Sequence, residues 1–434
     1  MARFVRLPRG SWFTLSAILA YALLRGWASL GRPSASFPDS LGYETLSFSG
    51  HADRFWPVPL AYSIADSAGA RVVLQVLAGA AAWGWLSVVL ARRSPFPRVF
   101  TVAVLAVGLV PQVVRYDLAM LSESLSISVT VAVVAATLDT VRAPSPGARA
   151  VWFVLMCTCA MVRPVHLVVL LACTAWFAGS TLLARERRIS ILAIACIAAA
   201  LWGGFLLREN RSTSELNLYT VLAERVITND ARYQWFVDRG MPDVPGARSA
   251  EGYDFAFRLP DDLADYVDLP EGQLPPTLVR VGGMDLAQWI RQHGWSTYAR
   301  YVAEHPSDTW SRVSSLTPRV VDPPNDDFLP VDTRSVVPRW IFQGWIVWSI
   351  VGLTSLIAGL VRKESEPAAR VIAAMAICGV LVHVATLLTS GIEHERHSVT
   401  IAVLLRVLVM AAVANMIAAG TRAPVEPAAS SRLP

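Results

Sequence analysis

Long apolar runs alternate with short charged breaks along most of the 434-residue chain. About ten of these runs approach the ~20 residues that a helix needs to cross the hydrocarbon core of a bilayer. Because lipid offers the backbone no hydrogen-bond partners, apolar runs of this length form helices when they span a membrane. The predicted spans are 11–30, 72–91, 99–114, 117–140, 150–162, 164–183, 189–207, 338–361, 370–390 and 398–419. The pattern therefore predicts an all-α polytopic membrane protein with about ten transmembrane helices.

One long stretch, residues 208–337, departs from this pattern because it is rich in Asp, Pro and Arg. Helical periodicity returns within it at 214–236 and at 286–304, where His305-Pro306 marks an end. We expect a mostly helical extracytoplasmic cap loop. The predicted domains are an N-terminal transmembrane module of about seven helices (1–207, with a catalytic-type outer loop at 31–71), the cap (208–337), about three C-terminal transmembrane helices (338–419), and a disordered cytoplasmic tail (420–434).

Charged residues are scarce, at 16% against 54% hydrophobic, and the positive ones mark one side of the predicted membrane. These are Arg3, Arg6, Arg9, Arg92, Arg93, Arg98, Arg142, Arg149, Arg185, Arg187, Arg188, Arg362, Lys363, Arg370 and Arg422. Cytoplasmic loops carry such an excess, so we expect a multi-pass plasma membrane protein with both termini in the cytoplasm. The basic residues lie at span ends, which argues against nucleic acid as a partner. All five cysteines fall in apolar spans, which argues against a disulfide framework.

The first candidate for chemistry lies just after the first span, where Asp39 sits at the predicted outer interface with Tyr43 one helical turn later. A carboxylate at this position can act as a general base on an acceptor hydroxyl. The alternative is structural, because Asp is a favoured N-terminal cap and Pro38-Asp39-Ser40 has the pattern of a helix start.

Two further candidates lie at the predicted helical hairpins. Arg115 separates the third span from the fourth, and Glu123 lies about two turns inside the fourth, flanked by serines. A Glu inside the membrane needs a partner or water, so it is a functional candidate. The alternative is that it makes a structural hydrogen bond between helices. Arg163 and His166 form the tip of the next hairpin, where a guanidinium can hold a phosphate or anchor to lipid headgroups.

The last candidates come from GIEHERHSVT, which opens the final span and contains Arg396 and His397. Arg396 is a candidate phosphate ligand, and a solvated charged turn is the alternative. His394 and His397 share a helix face, but a metal site here is of low specificity. Arg406, deeper in the final span, either reaches a polar cavity or snorkels. The sequence contains no phosphate-binding loop, HExxH or GxSxG motif, so it suggests neither an ATP-driven step nor zinc hydrolysis.

The order of these segments resembles the GT-C superfamily of membrane glycosyltransferases, which includes protein O-mannosyltransferases and bacterial aminoarabinose transferases. The resemblance spans most of 11–419 and is carried by PDSLGY (38–43), WPVPLAY (56–62), LSESL (121–125), RPVHLVVLL (163–171), EHP (304–306) and ERHSV (395–399). Each motif is short, and their joint order carries the specificity. Many members have two adjacent acids in the first outer loop, whereas Ser40 follows Asp39 here.

The resemblance implies a polyprenyl-phosphate-linked sugar as donor and an extracytoplasmic glycan, lipid or protein as acceptor, with inversion at the anomeric carbon. It implies that Asp39 is the base, that Glu123 orients the acceptor or a neighbouring side chain, and that cationic groups hold the leaving phosphate. The phosphate and substrate candidates are Tyr43, Arg115, Arg163, His166, Arg396 and His397. It implies no certain cofactor and leaves a divalent cation open. A transporter or flippase for a lipid-linked or small polar substrate, and a non-catalytic scaffold, are the alternative functions.

Overall fold

A computed structural model describes residues 11–43, 46, 56–163, 166, 217–243, 286, 288–322, 329, 332–362, 366–391 and 394–421, apart from the side chains at 11, 38, 39, 41 and 366. These residues form helices joined by loops, with an isolated parallel β-bridge between Ala35 and Ala119. The α-helices are α1 (Ser11–Ser29), α2 (Pro57–Ile64), α3 (Ala68–Ala91), α4 (Pro97–Gly108), α5 (Pro111–Val114), α6 (Glu123–Arg142), α7 (Pro146–Val162), α8 (Asp230–Val237), α9 (Trp295–Glu304), α10 (Pro306–Val321), α11 (Trp345–Val361), α12 (Glu366–Thr389) and α13 (His394–Gly420). The all-α prediction is confirmed for this part of the chain.

Five helical segments within the described residues are long and apolar enough to cross a membrane. They are Ala68–Ala91, Glu123–Arg142, Arg339–Val361, Pro367–Thr389 and His394–Gly420, and a bent pair, Pro97–Gly108 with Pro111–Leu118, makes six if it counts as one span. The shorter α7 is also apolar. The predicted first span, 11–30, is described as α1 but is not among these segments. The predicted spans 164–183 and 189–207 lie outside the described residues, as do residues 422–434 of the tail, so the count of about ten stays a prediction.

The predicted boundary between the third and fourth spans is wrong. A hairpin turning on Arg115 was expected, but α4 ends at Gly108 and the chain bends by 54° into Pro111–Leu118. The bend follows from Pro111, since a residue before proline is pushed out of the helical region, and Val110 is extended here. Residues after Leu118 leave the helix to pair with Ala35, so α6 begins at Glu123. Glu123 is thus the first residue of its helix, not two turns inside it.

A buried ion pair connects α1 to the end of this bent segment. Arg25 donates from Nε and Nη2 to the two carboxylate oxygens of Asp117, each at 2.8 Å, and both side chains are fully buried. Its Nη1 donates to the Tyr21 hydroxyl at 2.7 Å. Gly79 of α3 makes room for the guanidinium, because a Cβ there would come within 2.3 Å of Arg25 Cζ. A fork-to-fork pair of this kind fixes both distance and angle between the elements that carry it.

Residues 217–243 and 288–322, which we call the loop segment, form a small helical unit with its own core. The predicted helix over 214–236 is broken at Asn229, whose side chain caps α8 by accepting from the Arg232 backbone N–H at 3.0 Å. The predicted end at His305-Pro306 is confirmed, since α9 stops at Glu304. A helix that was not predicted, α10, then starts on Pro306, a residue suited to the first helical position.

The loop segment contacts the bundle at the end of α12 and the start of α13. Tyr298 donates to the Leu388 carbonyl at 2.7 Å, Arg312 Nη2 lies 3.4 Å from His394 Nε2, and Arg319 pairs with Glu395. The interhelical turns with the predicted cytoplasmic arginines lie at the other helix ends, after α3, α6 and α11. The role of the loop segment as an extracytoplasmic cap stays a prediction.

Arg406 is neither a cavity residue nor a snorkelling one in this structure. Its guanidinium is buried and donates to Asp322 Oδ1 at 2.5 Å, to the Phe342 carbonyl at 2.6 Å and to the Val321 carbonyl at 2.9 Å. The other Asp322 oxygen accepts from the backbone N–H groups of Gly344 and Trp345, where α11 begins. The arginine therefore fastens the end of α10 and the start of α11 to α13.

We expect removal of Arg25 alone to cost more stability than removal of the whole ion pair. Arg25→Leu leaves the Asp117 carboxylate buried without its counter-charge, which costs about 3–5 kcal/mol, whereas a well-packed apolar replacement of both partners is often nearly neutral. The free energy of unfolding, measured by denaturant titration in mixed micelles, should therefore partly recover in Arg25→Leu/Asp117→Leu. The control is Arg362→Leu at an exposed site at the opposite end of the bundle. An Arg25→Leu variant as stable as the wild type would contradict this account.

The loop segment should loosen in acid through Asp308. Partial burial acts to raise the pKa of its carboxyl, but hydrogen bonds from Tyr301 and Arg225 and the charges of Arg232 and Arg225 outweigh it and hold the pKa below its ordinary value. A lowered pKa contributes stability above the unfolded value of about 4 that is lost as the pH falls through the folded value.

The midpoint of thermal unfolding should accordingly differ most between wild type and Asp308→Asn above about pH 5, and the difference should shrink below about pH 4. Asp332→Asn is the matched control, since that carboxylate is 87% exposed and its nearest guanidinium atom is 3.6 Å away. A difference that does not change between pH 6 and pH 3 would be evidence against the assigned role of Asp308.

Candidate active site

Three of the predicted site residues meet at a single carboxylate oxygen. Glu123 Oε1 accepts from Arg163 Nη2 and, at 2.9 Å, from Arg396 Nε. The Glu123 side chain is 1% exposed and those of Arg163 and Arg396 are 12% and 7% exposed. The second oxygen, Oε2, is also buried and has no hydrogen-bond partner among the described residues. Two guanidinium groups therefore share one corner of one carboxylate.

Each of the three residues lies at the end of a helix. Glu123 is the first residue of α6, where the helix dipole favours a negative charge, and Arg163 directly follows the last residue of α7, where it favours a positive one. Arg396 lies in the first turn of α13, at an end that disfavours a cation, and the Glu123 carboxylate offsets this. The local electrostatics of helix ends thus stabilise the Glu123–Arg163 pair directly.

The helices α6 and α13 start at the same end of the bundle and contact each other along their first turns. Thr400 Oγ1 donates to Ser126 Oγ at 3.1 Å, one turn further along from the contact between Arg396 and Glu123. Residues three or four apart share a helix face, so the sequence spacing of these pairs aligns the two helices. The polar contacts fix Arg396 opposite Glu123.

Arg163 also connects α7 to the first turn of α13. Its Nη1 donates to the His397 carbonyl at 2.9 Å, and the His397 ring Nδ1 lies 2.7 Å from Ser390 Oγ. The candidates Arg163, Arg396 and His397 therefore belong to one connected polar cluster with Glu123. The chemical roles assigned to them stay predictions.

The turn that carries Asp39 lies beside this cluster. Ala35 pairs with the strand-like residues after Leu118, accepting from the Met120 N–H at 2.9 Å and donating to the Leu118 carbonyl at 3.0 Å. Ser40 Oγ then donates to the Met120 carbonyl at 2.7 Å. The predicted short helix here is a 3-10 helix, Pro38–Tyr43. Its backbone is attached at Met120, which lies three residues before Glu123 in the sequence. The side chain of Asp39 lies outside the described part of the structure.

Tyr43, at the end of the same 3-10 helix, is buried and lies edge-on to Tyr62 with ring centroids 6.1 Å apart. The Tyr62 hydroxyl donates to the Leu121 carbonyl at 2.8 Å. Burial, together with the nearby Tyr43 and Glu123, raises the pKa of Tyr62 far above its ordinary value, so this hydroxyl is a neutral donor at physiological pH. The two tyrosines therefore pack together beside the segment that precedes Glu123.

Two candidates have their described contacts elsewhere. Arg115 is buried with its guanidinium 5.2 Å from the Tyr116 ring centroid. His166 is buried, its Nδ1 lies 3.5 Å from Cys159 Sγ, and its backbone N–H donates to the Arg163 carbonyl. His166 thus supports the backbone that carries Arg163 and does not touch Glu123.

A polar layer that was not predicted from the sequence supports the start of α6 next to Glu123. Ser124 Oγ donates to Asp117 Oδ1 at 2.6 Å, which joins the first residues of α6 to the buried pair with Arg25. The Gln75 amide donates to the Asp117 and Ala119 carbonyls at 3.3 Å. A charged residue inside the first apolar run was the available signal for Arg25, since such residues are costly in a span.

The described residues include no group of three or more His, Cys, Asp or Glu side chains placed to hold a metal ion. The first-loop carboxylates Asp39 and Glu44 are outside that search, so the divalent cation left open by the sequence stays a prediction.

No family model and no curated protein matches the sequence. Among solved structures, the archaeal oligosaccharyltransferase AglB from Archaeoglobus fulgidus, in complex with an inhibitory peptide and a dolichol-phosphate, is 12% identical with a TM-score of 0.45. The match covers 94% of this chain and 50% of that one, so this chain spans about half its length. A similarity at this level does not show a shared fold.

We expect Ser40→Ala to detach the Asp39 turn from the segment before Glu123. The change leaves the buried Met120 carbonyl without its donor, a loss of about 1–3 kcal/mol. Hydrogen exchange at the Ala35 and Met120 amides should become about tenfold faster, as about 1.4 kcal/mol implies. Ser63→Ala removes an equivalent but exposed hydroxyl-to-carbonyl bond and should change neither rate. Unaltered exchange in Ser40→Ala would show that the turn is held by other contacts.

Proposed function

We propose that this chain is a membrane glycosyltransferase of the GT-C type, transferring a sugar from a polyprenyl-phosphate donor to an extracytoplasmic acceptor with inversion. The observation that carries the proposal is the buried cluster of Glu123, Arg163 and Arg396 beside the Pro38–Tyr43 turn. Those residues come from three of the sequence segments on which the resemblance rests, and the turn comes from a fourth.

The cluster suits a phosphate attached to a lipid tail. Guanidinium groups bind phosphate through paired N–H donors. Among the described residues, Arg163 uses two of its five N–H groups, on Glu123 and on the His397 carbonyl. The N-termini of α6 and α13 add backbone dipoles that favour an anion. Since the surrounding helices have the length and composition of membrane spans, a donor with its tail in the bilayer can bring its phosphate to this level.

In the proposed reaction, Asp39 accepts the proton of an acceptor hydroxyl while the hydroxyl oxygen attacks the anomeric carbon of the donor. The bond between that carbon and the phosphate oxygen breaks, and the electron pair leaves with the phosphate. Arg163 and Arg396 stabilise the negative charge that grows on the leaving phosphate. Stabilisation of developing charge is usually the largest single contribution to catalysis. Glu123 orients the guanidinium groups and the acceptor. The other candidates for binding substrate or phosphate are Tyr43, Arg115, His166 and His397.

The support for Asp39 is the position of its backbone. Ser40, the next residue, is bonded to Met120, and Met120 lies three residues before Glu123. A base carried by this turn would be close to the start of α6, where the arginines would hold the phosphate. General-base catalysis contributes about 10²–10⁴-fold to a rate, which sets the size of the expected loss.

The test is release of polyprenyl phosphate from a panel of polyprenyl-phosphate sugars, using the full chain in proteoliposomes with cell-envelope acceptors. Wild type should release the lipid phosphate, and Asp39→Asn should release it about 10²–10⁴-fold more slowly while still binding donor. Asp66→Asn, which changes an exposed carboxylate close to α2, should be as active as wild type.

Full release by Asp39→Asn would disprove its role as the base. If the wild type releases no lipid phosphate but carries a labelled lipid-linked sugar across the bilayer, the transporter or flippase alternative is the correct one. If neither release of lipid phosphate nor transport of the labelled sugar is observed, the non-catalytic scaffold is the favoured function.

A further inference from the structure

We propose that the Glu123 carboxylate is a placeholder for the phosphate of the donor: it holds the two guanidinium groups in place, and the incoming phosphate displaces it. The inference rests on the proposed function, because it takes a lipid-linked phosphate as the ligand of Arg163 and Arg396. It adds that the wild-type residue competes with this ligand instead of helping to bind it.

The geometry of the contact is unlike that of a permanent ion pair. A carboxylate that pairs strongly with arginine uses both oxygens in a fork, as Asp117 does with Arg25. Glu123 uses only Oε1 for both Arg163 and Arg396, while Oε2 remains buried without a partner among the described residues. A phosphate offers three oxygens, so it can satisfy both guanidinium groups through separate atoms. The site is therefore bonded less completely by its own glutamate than it would be by phosphate.

A displaced carboxylate needs a new donor, and Tyr116 provides one. Its hydroxyl is buried beside the Arg115 guanidinium, and no described residue forms a geometrically complete hydrogen bond with it. The charges of Arg115, Glu123, Arg163 and Arg396 all act on this hydroxyl. A buried hydroxyl with no partner is costly, so a rotated Glu123 that accepts from Tyr116 would remove two unpaired groups at once. Glu123 then has two positions, on the arginines or on the tyrosine.

The displacement also gives the reaction an order. While Glu123 occupies the arginines, no phosphate is bound and the carboxylate is neutralised by its partners. Once phosphate takes the arginines, the carboxylate is released beside the turn that carries Asp39. Glu123 can therefore accept a hydrogen bond from an acceptor hydroxyl only after the donor has bound.

The experiment measures binding of farnesyl phosphate to the full chain in detergent by titration calorimetry. We expect Glu123→Gln to bind it about tenfold more tightly than wild type, because the phosphate no longer displaces a charged competitor or faces a like charge. The matched control is Glu304→Gln, since Glu304 also pairs with two arginines, Arg239 and Arg300, but outside the cluster. It should bind as wild type does, and Arg163→Ala should bind at least about tenfold more weakly.

Two further variants keep the test decisive if Glu123→Gln does not fold. Glu123→Asp retains the charge at the helix start but is one methylene shorter, so it should also bind farnesyl phosphate more tightly than wild type. Tyr116→Phe removes the second position of the carboxylate, so it should weaken binding in the wild-type background and have no effect in Glu123→Gln.

Equal or weaker binding by both Glu123 variants would overturn the displacement while leaving the phosphate site intact. If Arg163→Ala binds as tightly as wild type, or if no variant binds, the phosphate site is wrong and the displacement falls with it. The release assay on Asp39→Asn tests glycosyl transfer separately from either result.

Discussion

The ion pair between Arg25 and Asp117 holds together the parts of the chain from which the candidate site is made. It fixes the end of the bent segment against α1, and the residues that follow Asp117 bind the first outer loop and then begin α6. Ser124 connects the pair directly to the helix that Glu123 opens. Burying two charges is expensive, and such pairs are best attested where they fix register. Here the register is that of Glu123 relative to the Pro38–Tyr43 turn.

The candidate site is assembled at helix ends and not within helices. Glu123, Arg163 and Arg396 lie where α6 begins, where α7 has ended and where α13 begins. In a membrane protein the middle of a span must be apolar, whereas its ends can carry charge at lower cost. The first and last turns also offer unpaired backbone groups and partial charges to a ligand. Short loops on three helices can thus contribute to one site while the bundle below them stays rigid.

Hydrophobic runs predicted the positions of most described helices, because each helix satisfies its own backbone and its apolar length sets its bounds. The sequence was less informative where a distant residue decides the local structure. Residues 119–122 were predicted as helix, but they pair with Ala35 and Ser40, which no local pattern reveals. Arg25 was not predicted as a site or structural residue, because its partner Asp117 lies 92 positions away. The cluster at Glu123 was predicted only as separate residues, since their meeting depends on how α6, α7 and α13 pack.

Gly79 shows that the ion pair constrains which residues the protein can carry and the order in which its helices can pack. Any other residue there would put a Cβ into the space of the Arg25 guanidinium. The absence of a side chain at one position of α3 therefore makes room for a charge carried by α1. During synthesis, α1 emerges long before Asp117, so the Arg25 guanidinium has no counter-charge until the bent segment has been made. The close packing of Arg25 against Gly79 can therefore be completed only after the segment that carries Asp117 has been made.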